Sequence, residues 1–233
     1  TINNAGAITF LDGYTQANAD TDTDLDGPFT DGENKVGIWL QSGSAFVGEI
    51  VNSGTITIEG NNSYGIRLDA LLDSDVNLVG SLTTSGVVNV LGDDSIAIAI
   101  QGGPTAGLAG DALIRGGVTA QGENVTGLLV DAPIGGELRI AGSWQVTGYR
   151  YTTRPTDTSN LDADDLLQGG SAVRVRSSVA GGITVEGLGV ENDGDANLDD
   201  YVASIAAYGQ APAILIEADP SGDLDLGATA NGY

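Results

Sequence analysis

The feature that most constrains this 233-residue chain is a short segment that recurs along it, of the form Gly-x-apolar-x-apolar-x-Gly. Its apolar pairs are Ile8 and Phe10, Ile56 and Ile58, Val88 and Val90, Val118 and Ala120, Trp144 and Val146, and Ile183 and Val185. The leading glycines are Gly6, Gly54, Gly86, Gly116, Gly142 and Gly181. Strict alternation bounded by Gly predicts a short strand with one buried face and a turn at each end. The residues between the apolar pairs, Thr9, Thr57, Asn89, Thr119, Gln145 and Thr184, would then form an outward polar ladder.

A second cassette follows each first one, in which a small residue precedes two inward aliphatics. It reads Gly37-Ile38-Trp39-Leu40, Gly65-Ile66-Arg67-Leu68, Ala97-Ile98-Ala99-Ile100, Gly127-Leu128-Leu129-Val130, Ala172-Val173-Arg174-Val175 and Ala213-Ile214-Leu215-Ile216. A weaker third strand is expected around Val76 and Leu78, around Leu113, and around Leu138 and Ile140. A repeat of this kind stacks unit on unit. The expected fold is therefore all-β: a right-handed parallel β-helix of about six turns of three short strands, forming a single domain over residues 1–233. An up-and-down barrel would also alternate, but has no reason to keep the two cassettes in fixed order.

The spacing between cassettes locates the irregularities. Ile56 to Ile66, Val88 to Ile98 and Val118 to Leu128 are each ten residues, whereas Ile8 to Ile38, Trp144 to Val173 and Ile183 to Ile214 are 30, 29 and 31. This predicts three insertions at one corner of the solenoid, within 12–34, 149–169 and 188–209, where such repeats build binding surfaces.

Those insertions hold the acid. Of 32 Asp and Glu, seven lie in residues 12–33, four in 157–165 and five in 191–200. Carboxylates at alternate positions of a tight loop suit Ca²⁺, a hard cation that takes six to eight oxygen ligands. In the first insertion Asp22, Asp24, Asp26, the Pro28 carbonyl, Thr30 and Glu33 follow the spacing of a twelve-residue calcium loop, with Gly27 at its sharp turn. Asp193, Asp195, Asn197 and Asp199 form a second candidate set, without that Gly or a distal Glu. Thr158 to Asp165 is a sparser variant. The last two insertions leave adjacent turns, so a shared cation or splayed loops are the two ways to relieve their repulsion.

Composition removes whole classes of function. With no Cys and no His, a thiolate or Ser-His-Asp relay, a disulfide and the usual zinc site are all excluded. A formal charge of −24 with eight basic residues excludes a nucleic-acid face and attraction to anionic lipid. No apolar run is long enough for a membrane helix. A start at Thr1 and the lack of any Met suggest a processed product or a segment of something longer.

Other candidates are weaker. The stripe Trp39, Arg67, Ala99, Leu129, Arg174 and Leu215 points outward and reads as a covered or partner-contacting face, with a cation–π pair expected between Trp39 and Arg67. The pairs Asp93-Asp94, Asp164-Asp165 and Asp199-Asp200 read as turns, since adjacent residues of an extended chain face opposite ways. Tyr149, Arg150 and Tyr151, at the mouth of the second insertion, fit a loop anchor better than a sugar-stacking group. Asn61-Asn62-Ser63 and Asn124-Val125-Thr126 are glycosylation sequons by pattern alone.

Segments such as Asn52-Ser53-Gly54-Thr55-Ile56-Thr57-Ile58, followed by Gly60-Asn61-Asn62-Ser63-Tyr64-Gly65-Ile66, resemble the passenger β-helix of Gram-negative autotransporters, the type V secretion family. The resemblance is one of repeat style over essentially the whole chain. It implies export through an outer membrane and display at the cell surface, for adhesion, cell-cell contact or assembly. The expected function is thus a non-enzymatic, extracellular structural or adhesive rod whose acidic loops bind Ca²⁺. Its expected partners are further β-helix turns or other copies end to end, and a surface carbohydrate or host ligand. A polysaccharide lyase or hydrolase built on a parallel β-helix is the alternative.

Overall fold

The computed structural model describes residues 1–17, 25–75, 79–151, 156–159, 161–186, 203–217 and 224–227. Alternation drives the chain into short strands, and every inter-strand ladder among them is parallel. The first cassettes stack as Ala7–Phe10, Thr55–Glu59, Val87–Leu91, Val118–Gln121, Ser143–Thr147 and Ser204–Tyr208. The second cassettes stack as Val36–Leu40, Tyr64–Leu68, Ile96–Ile100, Thr126–Val130, Val173–Val175 and Ile214–Ile216. A return sheet closes each turn, with Ile2–Asn4, Ile50–Asn52, Leu82–Thr84, Ala112–Ile114, Leu138–Ile140 and Ile183–Val185. The molecule is a parallel β-helix.

A short fourth face, absent from the sequence reading, lies between the second cassette and the return sheet. It consists of Phe46–Val47, Leu71–Asp73 and Gly107–Leu108, continued by single bridges at Ile134 and Val179. The third strand expected at Val76 and Leu78 falls on residues outside those described; that turn's return strand is Leu82–Thr84.

The inward positions fill the bore with aliphatic ladders, Ile56–Val88–Val118–Trp144 on one face and Ile66–Ile98–Leu128–Val173 on another. All eight are almost fully buried. Trp144 is the largest side chain in this core, and its indole N–H donates to the Ala141 carbonyl at 3.0 Å, so no polar atom is stranded. A buried polar rung follows the same logic: the Asn4 amide donates to Asn52, and Asn52 in turn donates to the Thr84 hydroxyl.

Beyond the first turn the leading glycines are a steric necessity. A Cβ at Gly86 would stand 1.9 Å from the Gly54 carbonyl oxygen, and one at Gly116 would stand 1.6 Å from that of Gly86. The opposite corner, between the two cassettes, turns on Asn34, Asn62, Asp94 and Asn124, each left-handed with φ of 51–58°. Asn and Asp tolerate that conformation better than other side chains.

The sixth repeat corrects the sequence reading. Ile183 and Val185 match the first-cassette pattern, yet they pair with Leu138 and Ile140 in the return sheet. The sixth first-cassette strand is instead Ser204–Tyr208, with Ile205 opposite Trp144 and Ala206 opposite Gln145. The polar ladder therefore ends in Ala206, not Thr184. A two-residue period specifies which residues point inward but not which sheet receives them, and here both sheets accept the same alternation. In consequence only the first and second insertions share a corner. The third lies one corner earlier, between the return sheet and the first-cassette sheet.

Candidate functional site

The first insertion leaves its sheet after Phe10 and must return to Val36. Asp12 ties its two feet together. One carboxylate oxygen accepts the Tyr14 N–H at 2.8 Å. The other accepts the Thr30 hydroxyl and the N–H groups of Asp31 and Gly32, the last two at 2.9 and 3.1 Å. Burial pushes the Asp12 carboxyl up, but those backbone donors and the Lys35 charge outweigh it and hold the group below the usual carboxylate range. Above this neck, Ala17 and Asp26 form an antiparallel bridge, with the Asp26 N–H 2.6 Å from the Ala17 carbonyl oxygen.

The second insertion supplies the opposing side. Arg150, its side chain only 7% exposed, reaches across to the first insertion. Its Nη1 donates to Gln16 Oε1 at 3.2 Å, and its Nη2 donates to the Gly27 carbonyl and to Asp164 at 3.0 Å. The guanidinium carbon lies 4.7 Å from the centroid of the buried Phe29 ring. The Gly27 N–H, in a left-handed turn, donates to the same Asp164 carboxylate at 2.7 Å. The two insertions spring from the first and fifth turns, with three turns between them. At the usual strand spacing they bridge about 19 Å along the axis.

Where they meet, carboxylate oxygens of Asp26, Asp162 and Asp164 lie within 4.8 Å of one another. Asp162 is held above the usual range, first by its side-chain hydrogen bond to Asp164 and then by burial. Asp164 is held below it by that same bond, by the Gly27 N–H and by Arg150, against the pull of burial. Two carboxyls that compete for one proton at this separation are a donor set that fits a hard dication, whose charge would let both ionise.

Beneath the meeting point is a cavity of about 590 Å³. Its floor is one outward rung of the first-cassette sheet, Glu59, Leu91 and Gln121, in register on three successive turns. Its walls come from the two insertions, among them Tyr14, Leu25, Phe29, Arg150 and Tyr151.

The predicted ligands are distributed as follows. Asp26 joins Asp162 and Asp164; the Pro28 carbonyl accepts Gln16 Nε2 at 3.4 Å; Thr30 is buried and bonded to Asp12; Glu33 bridges Asn61 of the next turn. Asp22, Asp24, Asp193, Asp195, Asn197 and Asp199 lie outside the described residues. Spacing within an insertion or between adjacent turns carries no sign that the first and second insertions converge across three turns. Nor does it mark the floor, although Glu59 and Gln121 are legible as outward positions at the ends of their strands. Arg150 does anchor the loops, as its position suggested.

On the second-cassette face the expected stripe is in register, Trp39 to Arg67 to Ala99 and onward. Arg67 lies between the Trp39 and Tyr64 rings, 5.0 and 4.7 Å from their centroids. Asp69 accepts from Arg67, Gln101 and Trp39, which closes this cluster on itself.

A scan against protein-family models, a search of curated proteins and a search of solved structures each found no match.

Proposed function

We propose that this chain is a non-enzymatic structural or adhesive rod of a bacterial cell surface, of the autotransporter passenger kind, whose first and second insertions are clasped by Ca²⁺ at Asp26, Asp162 and Asp164. The observation that carries the reading is the convergence of two insertions from non-adjacent turns on three carboxylates. Such an arrangement suits a strut better than a reaction centre. Asp12, which lines the cavity beside Glu59 of its floor, is saturated by backbone donors and held ionised, which makes it a poor general acid. Asp162 and Asp164 are not among the residues that line the cavity.

The ends of the rod support a partner made of further turns. Ile2, Phe10 and Trp39 at one end, and Val185, Ile214 and Ile216 at the other, are exposed apolar residues on open strand edges. Continuing the register would set Leu215 of one unit beside Trp39 of the next. Either more turns of the same polypeptide or a second copy would cover these edges.

Calorimetry and thermal melts with and without Ca²⁺ test the clasp. At a hundredfold excess over Kd the cation should stabilise the fold by about 2.7 kcal/mol, a rise in Tm of about 5–10 °C for a domain of this size. The double variant Asp26→Asn, Asp162→Asn should lose that increment. Affinity should also fall as pH drops through the carboxylate range, because protons and Ca²⁺ compete for the same oxygens. An unchanged melt and no heat of binding would remove the cation from the reading.

A further inference from the structure

We infer that the cavity under the two insertions is a binding site for a short neutral oligosaccharide. Its volume, about 590 Å³, is that of a small-ligand pocket. The floor sets the chemistry. Glu59 and Gln121 flank Leu91 on neighbouring turns, so a carboxylate and an amide stand about 10 Å apart with an aliphatic surface between them. A sugar ring offers the complement: an apolar C–H face to lie on Leu91 and hydroxyls at its rim for the two polar ends. Tyr14 and Tyr151 flank the space on opposite insertions, and aromatic side chains are suited to pack against such a face.

Charge decides between a neutral and a charged ligand. The wall holds one cation, Arg150, which is already engaged by Asp164, Gln16 and the Gly27 carbonyl. No other Lys or Arg lines the cavity among the described residues, so a uronate, sulfate or phosphate would find no counter-ion. Two carboxylates, Asp12 and Glu59, also line the cavity; Asp12 is closed off by the Tyr14, Asp31 and Gly32 N–H groups, so a cationic ligand would meet Glu59 alone and would have the Arg150 guanidinium against it.

The inference does not depend on the Ca²⁺ clasp, and the experiment separates the two. The whole chain is titrated with cellotetraose and with maltotetraose, with a tetragalacturonate as the anionic probe and spermidine as the cationic one, in Ca²⁺ and again in EGTA. Binding is followed by calorimetry and by tyrosine fluorescence. A neutral tetrasaccharide should bind with a Kd of about 1 mM or tighter and more tightly than either charged probe. Leu91→Trp, which fills the floor, should weaken it at least about tenfold while the melting temperature stays near that of the wild type. Gln121→Ala, at a half-exposed position, gives the same readout with no added bulk. Absence of neutral-sugar binding in both buffers would overturn the proposal. So would binding that survives both variants, or a preference for the uronate or the polyamine. The clasp is judged apart from all this, by the Ca²⁺-dependent melt measured without sugar.

Discussion

At the scale of the residue, the corners of this solenoid are the most exacting positions. Gly86 does not need its flexibility; it needs to have no side chain, because the carbonyl of the turn beneath occupies the place of a Cβ. Gly86→Ala must push two turns apart and should cost about 1–3 kcal/mol or more, read as a lower midpoint in urea. Gly6→Ala, the same position on the first turn with nothing within 4 Å, should be close to neutral and serves as its control. These glycines were legible in the sequence because the same close approach recurs at Gly54, Gly86, Gly116 and Gly142 on successive turns. Asp12 was not, since its neighbours Thr30, Asp31 and Gly32 are brought back to it only by the path of the insertion. With its folded pKa depressed, Asp12 contributes stability that is fully present above the ordinary carboxylate range and is lost as pH falls through that range and below it. The difference in melting temperature between wild type and Asp12→Asn should accordingly narrow on acidification from about pH 6 to about pH 3.

At the scale of the element, strands and insertions obey different rules. A strand here is specified by alternation and by the turn below it, which is why both cassettes were legible in five of the six turns. The sixth was not, because Gly181-Gly182-Ile183-Thr184-Val185 satisfies the pattern of either sheet, and only the pairing partner decides. The insertions carry no such period. Their arrangement rests on a few long-range contacts centred on Arg150, so they should form a cooperative unit separable from the core. Arg150→Ala removes three hydrogen bonds donated by a charged group, to Gln16, the Gly27 carbonyl and the Asp164 carboxylate. It should weaken the docking of the two insertions by about 1.5–3 kcal/mol per lost charged bond. Limited proteolysis should then cut within 12–34 and 149–169 far faster, while far-ultraviolet circular dichroism stays that of the wild type.

At the scale of the whole molecule, each turn touches mainly the turns above and below it, and stability is a sum over neighbours. The inner ladders from Ile56 to Val146 are sealed, whereas Ile2, Phe10, Ile214 and Ile216 are open at the ends. Amide hydrogen exchange should therefore be slowest in Val87–Leu91, Ile96–Ile100 and Thr126–Val130, and should rise toward both termini. Uniform protection along the rod would contradict a nearest-neighbour account. The overall charge of −24 takes on a position in this frame: half of the 32 acidic residues fall in the three inserted segments of the sequence, and the inward aliphatic ladders carry no charge.

The bridge between the first and fifth turns also has a mechanical meaning. A stack of parallel coils pulled along its axis peels at whichever end is loaded, since each coil is held only by the next. Here the Gly27 backbone is bound to Arg150 and Asp164 across three intervening coils, in parallel with their own ladders. Load applied at one end is shared over the whole strapped length, and those coils must give way together, so the rod resists tension as a block where its repeats alone would unravel one by one.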